Sequence, residues 1–364
     1  MKRIYFDHNA TTPINDKVKS AMDSICNIAL NSSSLHYHGR YARKILENSR
    51  DIIKNRLGLD NTHELIFTSG CTEANNLALH NFSEVKKICS CIEHPAVINV
   101  IGEGIIPVDN NGIVNIDYIE NYLIENNTKK LLVSVMYANN EIGTIQPIQK
   151  IAQLAKKYNF IFHCDITQAI GRIDVDLTDI DLITFSSHKF GGPVGSGALI
   201  YNKILDLKPM VFGGGQEFRL RSGTQNITAI HGMATAFELI DDIKENFTKI
   251  KQLQQHLEQS LKDIKNDVVI FGEKAARLPN TSSISMPKAT PETQLIFFDL
   301  NGISLSAGSA CSSGKIDIPR IQLSMGYPQE IATNSVRVSL GPNNTIGDID
   351  VFVSLWKNLY LRNN

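Results

Sequence analysis

Between residues 60 and 205, short runs of apolar, β-branched and aromatic residues alternate with segments in which apolar positions recur every three or four residues. The runs at 65–67, 88–92, 131–137, 160–164, 182–185 and 198–201 read as strands, and the intervening segments as crossover helices. In 148–158, for example, Ile148, Ile151, Leu154 and Ala155 share one helical face. The alternation predicts an α/β fold, with a mostly parallel sheet covered on both sides. Ahead of it, Asn15 can cap a helix striped by Val18, Met22, Ile25 and Ala29, and a second helix runs from about residue 40 to Gly58, its C′ residue. Behind it, a helical stretch from Asn226 to about Ile264 leads into short strands at 268–271, 282–285 and 336–340 and a closing helix near 349–360. This last part reads as a smaller α+β domain beginning near residue 250.

At about 150 residues per domain, 364 residues make two or three domains. A net charge of −1 excludes electrostatic coating of nucleic acid as the main activity. No stretch approaches the roughly 18 apolar residues of a membrane span, and Ile4-Tyr5-Phe6 is too short for a secretory h-region. The cysteines, at 26, 71, 89, 91, 164 and 311, are neither dense enough for a disulfide framework nor spaced as zinc pairs. No metal site is expected, and a reducing cytoplasm is the expected compartment. Cys89 and Cys91 share one face of a strand and read as core.

Three segments carry chemistry. Ser186-Ser187-His188-Lys189-Phe190-Gly191-Gly192-Pro193 follows the strand at 182–185. A lysine at a strand end among small residues is partly dehydrated, which favours the neutral amine that attacks aldehydes. Alone, it would more often be a surface lysine. Upstream, Ser69-Gly70-Cys71-Thr72 stands between a strand and a helix, where free N–H groups and the helix dipole converge on an anion such as a phosphate. Third, the strand at 160–164 ends in Asp165, a carboxylate that needs a cation or several donors to stay ionised. Alternation turns Cys164 away from Asp165, into the core. An anion cup, a carboxylate and an amine at the ends of three strands are what pyridoxal phosphate requires, since its ring nitrogen must stay protonated.

These segments, with Tyr5-Phe6-Asp7-His8-Asn9-Ala10-Thr11-Thr12-Pro13, Glu93-His94-Pro95, Asn139-Asn140-Glu141-Ile142-Gly143, Arg221-Ser222-Gly223-Thr224, Gly308-Ser309-Ala310-Cys311 and Ser335-Val336-Arg337, resemble the class V aminotransferase-like pyridoxal phosphate enzymes. Within these they are most similar to the NifS/IscS-type cysteine desulfurases. The resemblance implies fold type I: a large domain (15–250) with a mostly parallel seven-stranded sheet, and a small domain from 1–14 and 251–364. It implies that Lys189 holds pyridoxal 5′-phosphate covalently and moves the substrate α-proton. Cys71 (main chain), Thr72, Ser186 and His188 would bind the phosphate, with Thr224 reaching over from the second subunit of a homodimer. Asp165 would pair with the ring nitrogen, Gln168 contact the ring hydroxyl and His94 stack on the ring. Asn140 and Arg337 would grip the substrate carboxylate, and Cys311 would be the nucleophile.

Two of these assignments also follow from the residues. Alternation places Arg337 between Ser335 and Ser339, opposite Val336 and Val338, where its planar fork suits a carboxylate. Cys311 lies among small polar residues with Lys315 nearby, a setting of exposure rather than core. About 3% of a free thiol is thiolate at pH 7, so an activating neighbour is expected, such as a protonated His94 or the cofactor. The implied reaction takes sulfur from L-cysteine, leaves a Cys311 persulfide and alanine, and passes the sulfur to an acceptor or iron–sulfur scaffold protein, for cluster assembly or thio-modification. Alternatives are a selenocysteine lyase or another class V lyase or aminotransferase, and, in another class, an inactive scaffold subunit on the same fold. The chain departs from the family pattern at Phe218-Arg219, where Arg-Gly is usual, in the 315–319 loop, and in a tail lacking the extension with which longer relatives dock a scaffold. His36 is a further candidate to line the site.

Overall fold

The computed structural model describes residues 3–102, 106–126, 130–308 and 318–363. The chain opens with β1 (Ile4–Tyr5), α1 (Asp16–Ile25) and α2 (Tyr37–Arg56). Asn15 caps α1, its side chain accepting from the Lys17 N–H, and Gly58 closes α2 in the left-handed region at φ 65°. There follow β2 (His63–Thr68), α3 (Cys71–His80), β3 (Lys86–Cys89), α4 (Pro95–Ile101), α5 (Ile116–Asn126), β4 (Leu131–Ser134), α6 (Ile148–Tyr158), β5 (Ile161–Asp165), β6 (Leu182–Ser186) and β7 (Gly197–Asn202).

These strands form one sheet in the order β2-β7-β6-β5-β4-β3. Strands β3 to β6 run parallel, and β7 is antiparallel to both neighbours. Its central members are buried on both faces, with Phe162, Ile183 and Phe185 in the core and the few buried polar side chains, such as His163 and Thr184, hydrogen-bonded to one another. The described residues form six strands where seven are expected; beside β3, Ser90 makes an isolated parallel bridge to Ile106. Because β7 runs backwards, its first residue, Gly197, sits between Thr68 of β2 and Ser186 of β6. A Cβ there would lie 2.6 Å from the Phe185 carbonyl oxygen and 2.7 Å from Gly70 Cα, so only glycine fits.

The remainder contains α7 (Ile227–Glu238), α8 (Ile240–Ile264), β8 (Thr281–Ser285), α9 (Pro291–Leu300), β9 (Ile303–Ser304), β10 (Ser306–Ala307), α10 (Arg320–Ser324), α11 (Gln329–Thr333), β11 (Ser335–Ser339) and α12 (Ile346–Asn363). The expected single helix from Asn226 to Ile264 is two, broken at Leu239; Asp241 and Asp242 in the first turn of α8 favour a new N-terminus there. The expected strand at 268–271 reduces to one bridge, Ile270 to Ile284, because the chain turns at Gly272. Strand β11 lies between β10 and β8, and β1 pairs with β9. A second hydrophobic core joins α8, α9 and α12 around Trp356, Phe352 and Phe298, and includes Phe6 from the chain's start. No helix of the described residues is long and apolar enough to cross a membrane.

Candidate active site

A cavity of about 380 Å3 opens at the carboxyl ends of the parallel strands, within the range of small-molecule sites. Each wall comes from the loop after a different strand. Ser69 to Glu73 follow β2, His94 follows β3, and Met136, Ala138 and Asn140 follow β4. Asp165, Thr167 and Gln168 end β5, Ser186, His188 and Lys189 end β6, and Arg337 arrives from β11. Cys71, Thr72, His94, Asn140, Asp165, Gln168, Ser186, His188, Lys189 and Arg337 therefore converge, although they span most of the chain. Thr224 is exposed and does not line this cavity, while Cys311 lies outside the described residues.

Lys189 is partly buried at the end of a short 3-10 turn, Ser187–Lys189. Its Nζ donates to the carbonyl oxygens of Asn9 (2.9 Å) and Ala10 (2.6 Å). Burial first, then the charges of Arg172 and Arg337, push its pKa down to about 8. About a tenth of such an amine is neutral at pH 7, roughly 300-fold more than for an ordinary lysine.

Asp165 is buried, and three donors serve it: the Thr167 N–H at Oδ1 (2.9 Å), and Asn75 Nδ2 (3.0 Å) and Cys71 Sγ (3.2 Å) at Oδ2. Among the described residues it forms no ion pair, so a buried anion faces the cavity with neutral partners only. Behind Asn75 a chain of contacts runs through Thr184 Oγ1 (2.5 Å) and His163 (3.1 Å) to Ser134 (2.7 Å). Burial holds His163 neutral, its pKa well below the ordinary range.

The N–H groups that open α3 have no acceptor within the helix, and Gly70, Cys71 and Thr72 set them at the cavity. Glu73, in the same turn, would repel an anion. It is neutralised by Arg221 (2.7 and 3.2 Å) and also accepts from the Ser69 N–H (2.7 Å). Burial alone would raise the Glu73 pKa, but these partners more than offset it. Gln168 is pinned by its amide: Oε1 accepts from Arg172, and Nε2 donates to the Asn9 carbonyl (3.1 Å), which leaves one N–H.

His94 caps α4, its Nδ1 accepting from the Ala96 N–H (3.1 Å), so the proton of the neutral ring sits on Nε2. Burial lowers its pKa and outweighs the attraction of Asp165. The protonated His94 expected as a thiol activator is therefore not its resting form. His188 meets Thr11 Oγ1 (3.1 Å) and is likewise neutral, pushed down to about 4 by burial and by Lys189.

Arg337 is almost fully buried, with Nη2 on Asp7 (2.7 Å), Nη1 on the Asn140 carbonyl (3.1 Å) and Nε without a partner. Such an orphaned buried donor fits an incoming carboxylate. The other Asp7 oxygen accepts from Ser306 Oγ (2.8 Å), and a Cβ on Gly308 would meet Glu141 at 2.8 Å. On the far side of 309–317, Arg320 donates to the carbonyls of Cys91 and Glu93, the latter at 2.6 Å. Both flanks of the Cys311 segment are thus anchored beside the cavity. Of the described cysteines, all free, Cys71, Cys89, Cys91 and Cys164 have thiols pushed up chiefly by burial, the wrong direction for a nucleophile.

Sequence reasoning missed Asn9, Asn75 and Arg172. Asn9 is the hub: its carbonyl receives Lys189 and Gln168, its Oδ1 Arg172 and Asn280, and its Nδ2 reaches the Asn140 carbonyl and Thr281. Its sequence signal was its place in the family-like Tyr5–Pro13 segment, which assigned it no role. His36, weighed as a lining residue, instead caps α2. Phe218 stacks on Arg50 (4.8 Å), which is paired with buried Glu217 (3.0 Å). Glu217, Phe218 and Arg219 all have positive φ, so the unusual Phe-Arg pair is held in a left-handed turn by that ion pair.

The family model described as aminotransferase class-V matches residues 4–352. The cysteine desulfurase IscS of Dictyoglomus turgidum is 36% identical, over 96% of this chain and 93% of its own length. That of Clostridium botulinum is 37% identical over 96% and 92%. The X-ray structure of a NifS-like protein from Rickettsia africae superposes with a TM-score of 0.92 at 40% identity, covering 98% of this chain and 99% of that one. With these matches over nearly its whole length, the chain belongs to the class-V aminotransferase family of pyridoxal phosphate enzymes and, within it, to the NifS/IscS-type cysteine desulfurases.

Proposed function

We propose that this chain takes the sulfur of L-cysteine onto Cys311, releases L-alanine and passes the persulfide sulfur to an acceptor protein, serving iron–sulfur cluster assembly or thio-modification. The observation that carries the reading is one cavity lined by a low-pKa lysine, a buried carboxylate without a cation, and the free N-terminus of α3. These fit pyridoxal 5′-phosphate: Lys189 would hold it covalently, Asp165 would face its ring nitrogen, and Cys71, Thr72, Ser186 and His188 its phosphate. When bound, it supplies an electron sink at the substrate α-carbon.

The chain's own residues do the rest. Arg337, beside Asn140, takes the substrate carboxylate on its free Nε. Neutral Lys189 accepts the α-proton. The Cys311 thiolate forms an S–S bond to the substrate sulfur as the C–S bond breaks, and the carbon takes a proton to become the alanine methyl group. His94, whose ring proton sits on Nε2, lines the cavity and is the group that would supply that proton. The exposed Thr224 and the apolar Met210, Val211, Phe212 and Phe218 nearby support a homodimer in which Thr224 completes the partner's phosphate site. The second core, which includes Phe6, supports a large unit of 15–250 and a small one of 1–14 with 251–364. Free cysteines throughout the described residues support a reducing, cytoplasmic setting.

The test is cysteine turnover with and without reductant, measuring alanine and sulfide together. Equal amounts are expected with reductant, and Cys311→Ser should bind cysteine yet release no sulfide. A Cys311→Ser variant that still makes sulfide would overturn the persulfide step.

A further inference from the structure

Arg172 lies seven residues past the end of β5 and is 3% exposed. Its guanidinium meets only neutral acceptors. Nη1 donates to Asn9 Oδ1 (2.9 Å) and to Gln168 Oε1, and Nη2 to the carbonyls of His8 (3.3 Å) and Lys189 (3.2 Å). Nε has no partner, and among the described residues no carboxylate pairs with Arg172. The Phe247 ring, 5.9 Å from Cζ, supplies only a weak quadrupole attraction. Burying a cation without a counter-ion costs several kcal/mol, and here burial, with the charge of Arg337, pushes its pKa down to about 9. A neutral amide could satisfy carbonyls at less cost, so the retained charge needs a reason. Its acceptors supply one, since Nζ of Lys189 sits on the Asn9 and Ala10 carbonyls, and Arg172 braces that segment through the His8 carbonyl, the Asn9 side chain, the Lys189 carbonyl and Gln168, whose amide also donates to the Asn9 carbonyl.

We propose that Arg172 is a positioning residue for the Lys189 amine: its guanidinium fixes the segment whose Asn9 and Ala10 carbonyls receive that amine, and its unpaired charge favours the neutral, nucleophilic amine. The other groups around that amine do not replace it. Arg337, from β11, acts in the same direction but is held by Asp7. Asp7 from the N-terminal segment and Cys71 from α3 act the opposite way. His8, His94 and His188 are held neutral by burial. Asp165 is engaged by Thr167, Asn75 and Cys71, and Glu73 by Arg221.

The proposal rests on Lys189 being the reactive amine, and its test is independent of turnover. In the full chain stripped of cofactor, trace acetylation of Lys189 is followed by peptide mass spectrometry across pH. The wild-type midpoint is expected near 8. Arg172→Gln should move it up by about one unit, a roughly tenfold loss of reactivity at pH 7. Arg172→Lys, which keeps the charge but loses the fork, should leave the midpoint within about 0.3 units. An unmoved midpoint in Arg172→Gln overturns the proposal. Should that variant not fold, a one-unit rise in Arg172→Lys overturns it equally. If borohydride traps the cofactor on another lysine, the functional reading fails, while the Lys189 midpoint still decides the role of Arg172.

Discussion

Replacing Asp165 by Asn separates the hydrogen bonds of this carboxylate from its charge. Asp165 accepts from Thr167 N at one oxygen and from Asn75 Nδ2 and Cys71 Sγ at the other. An amide nitrogen in either place faces a buried donor. The lower-cost orientation leaves one N–H opposed to the Thr167 N–H, for about 2 kcal/mol. Because the melting shift per kcal/mol falls with chain length, that is a drop of roughly 2–4 °C in this chain. Asn75→Asp should restore the match. Its carboxylate still accepts from Thr184 Oγ1 (2.5 Å) and now also accepts from an amide at position 165. Thermal unfolding of the cofactor-free wild type, both single variants and the double variant closes a cycle with an expected coupling of at least about 4 kcal/mol, because Asn75→Asp alone sets two carboxylates against each other and costs at least about 2 kcal/mol itself. The double variant should regain the stability but not the cysteine turnover, reduced about 10²-fold, because the negative charge has moved off the strand end. A coupling below about 0.5 kcal/mol would refute the donor–acceptor assignment, and full turnover in the double variant would refute the role of the charge.

Two further outcomes follow from the same geometry. His8 is buried with a pKa of about 4, against about 6.5 when unfolded, so the unfolded chain binds more protons between those values. Its share of stability is complete above pH 6.5 and declines by about 3 kcal/mol as pH falls towards 4; His8→Gln should flatten that part of a pH–stability curve, and an unchanged slope would contradict the assignment. Gly197→Ala forces a Cβ to within 2.7 Å of Gly70 Cα, so the α3 cup must shift. Cofactor affinity in equilibrium dialysis should drop at least about tenfold, with about 2 kcal/mol lost in denaturant unfolding, and unaltered affinity would show that the cup does not depend on this contact.

The α/β alternation, the strand-end positions of Asp165 and Lys189 and the helix-opening Ser69-Gly70-Cys71-Thr72 turn were all determined locally. Period-two and period-three-to-four patterns and capping chemistry act over a few residues, so the chain displays them before it folds. The same is true of Arg337 on the polar side of its strand. Element ends were less legible: Leu239 splits what reads as one helix, and Gly272 cuts a strand to a single bridge, because packing partners and turns decide where hydrogen-bonding ladders stop.

Only the tertiary structure could decide the electrostatics. The neutrality of His94, the lowered pKa of Lys189 and the uncompensated charge of Arg172 all depend on how much water and which charges surround each group, and those neighbours come from β1, β5, β6 and β11 together. Asn9 is the plainest case: a polar residue with no role assigned from sequence becomes the junction of five side chains, because the chain's first loop is laid across the ends of β5 and β6, more than 150 residues later. Dielectric and Coulomb terms are sums over space, whereas a sequence pattern reports only on neighbours along the chain.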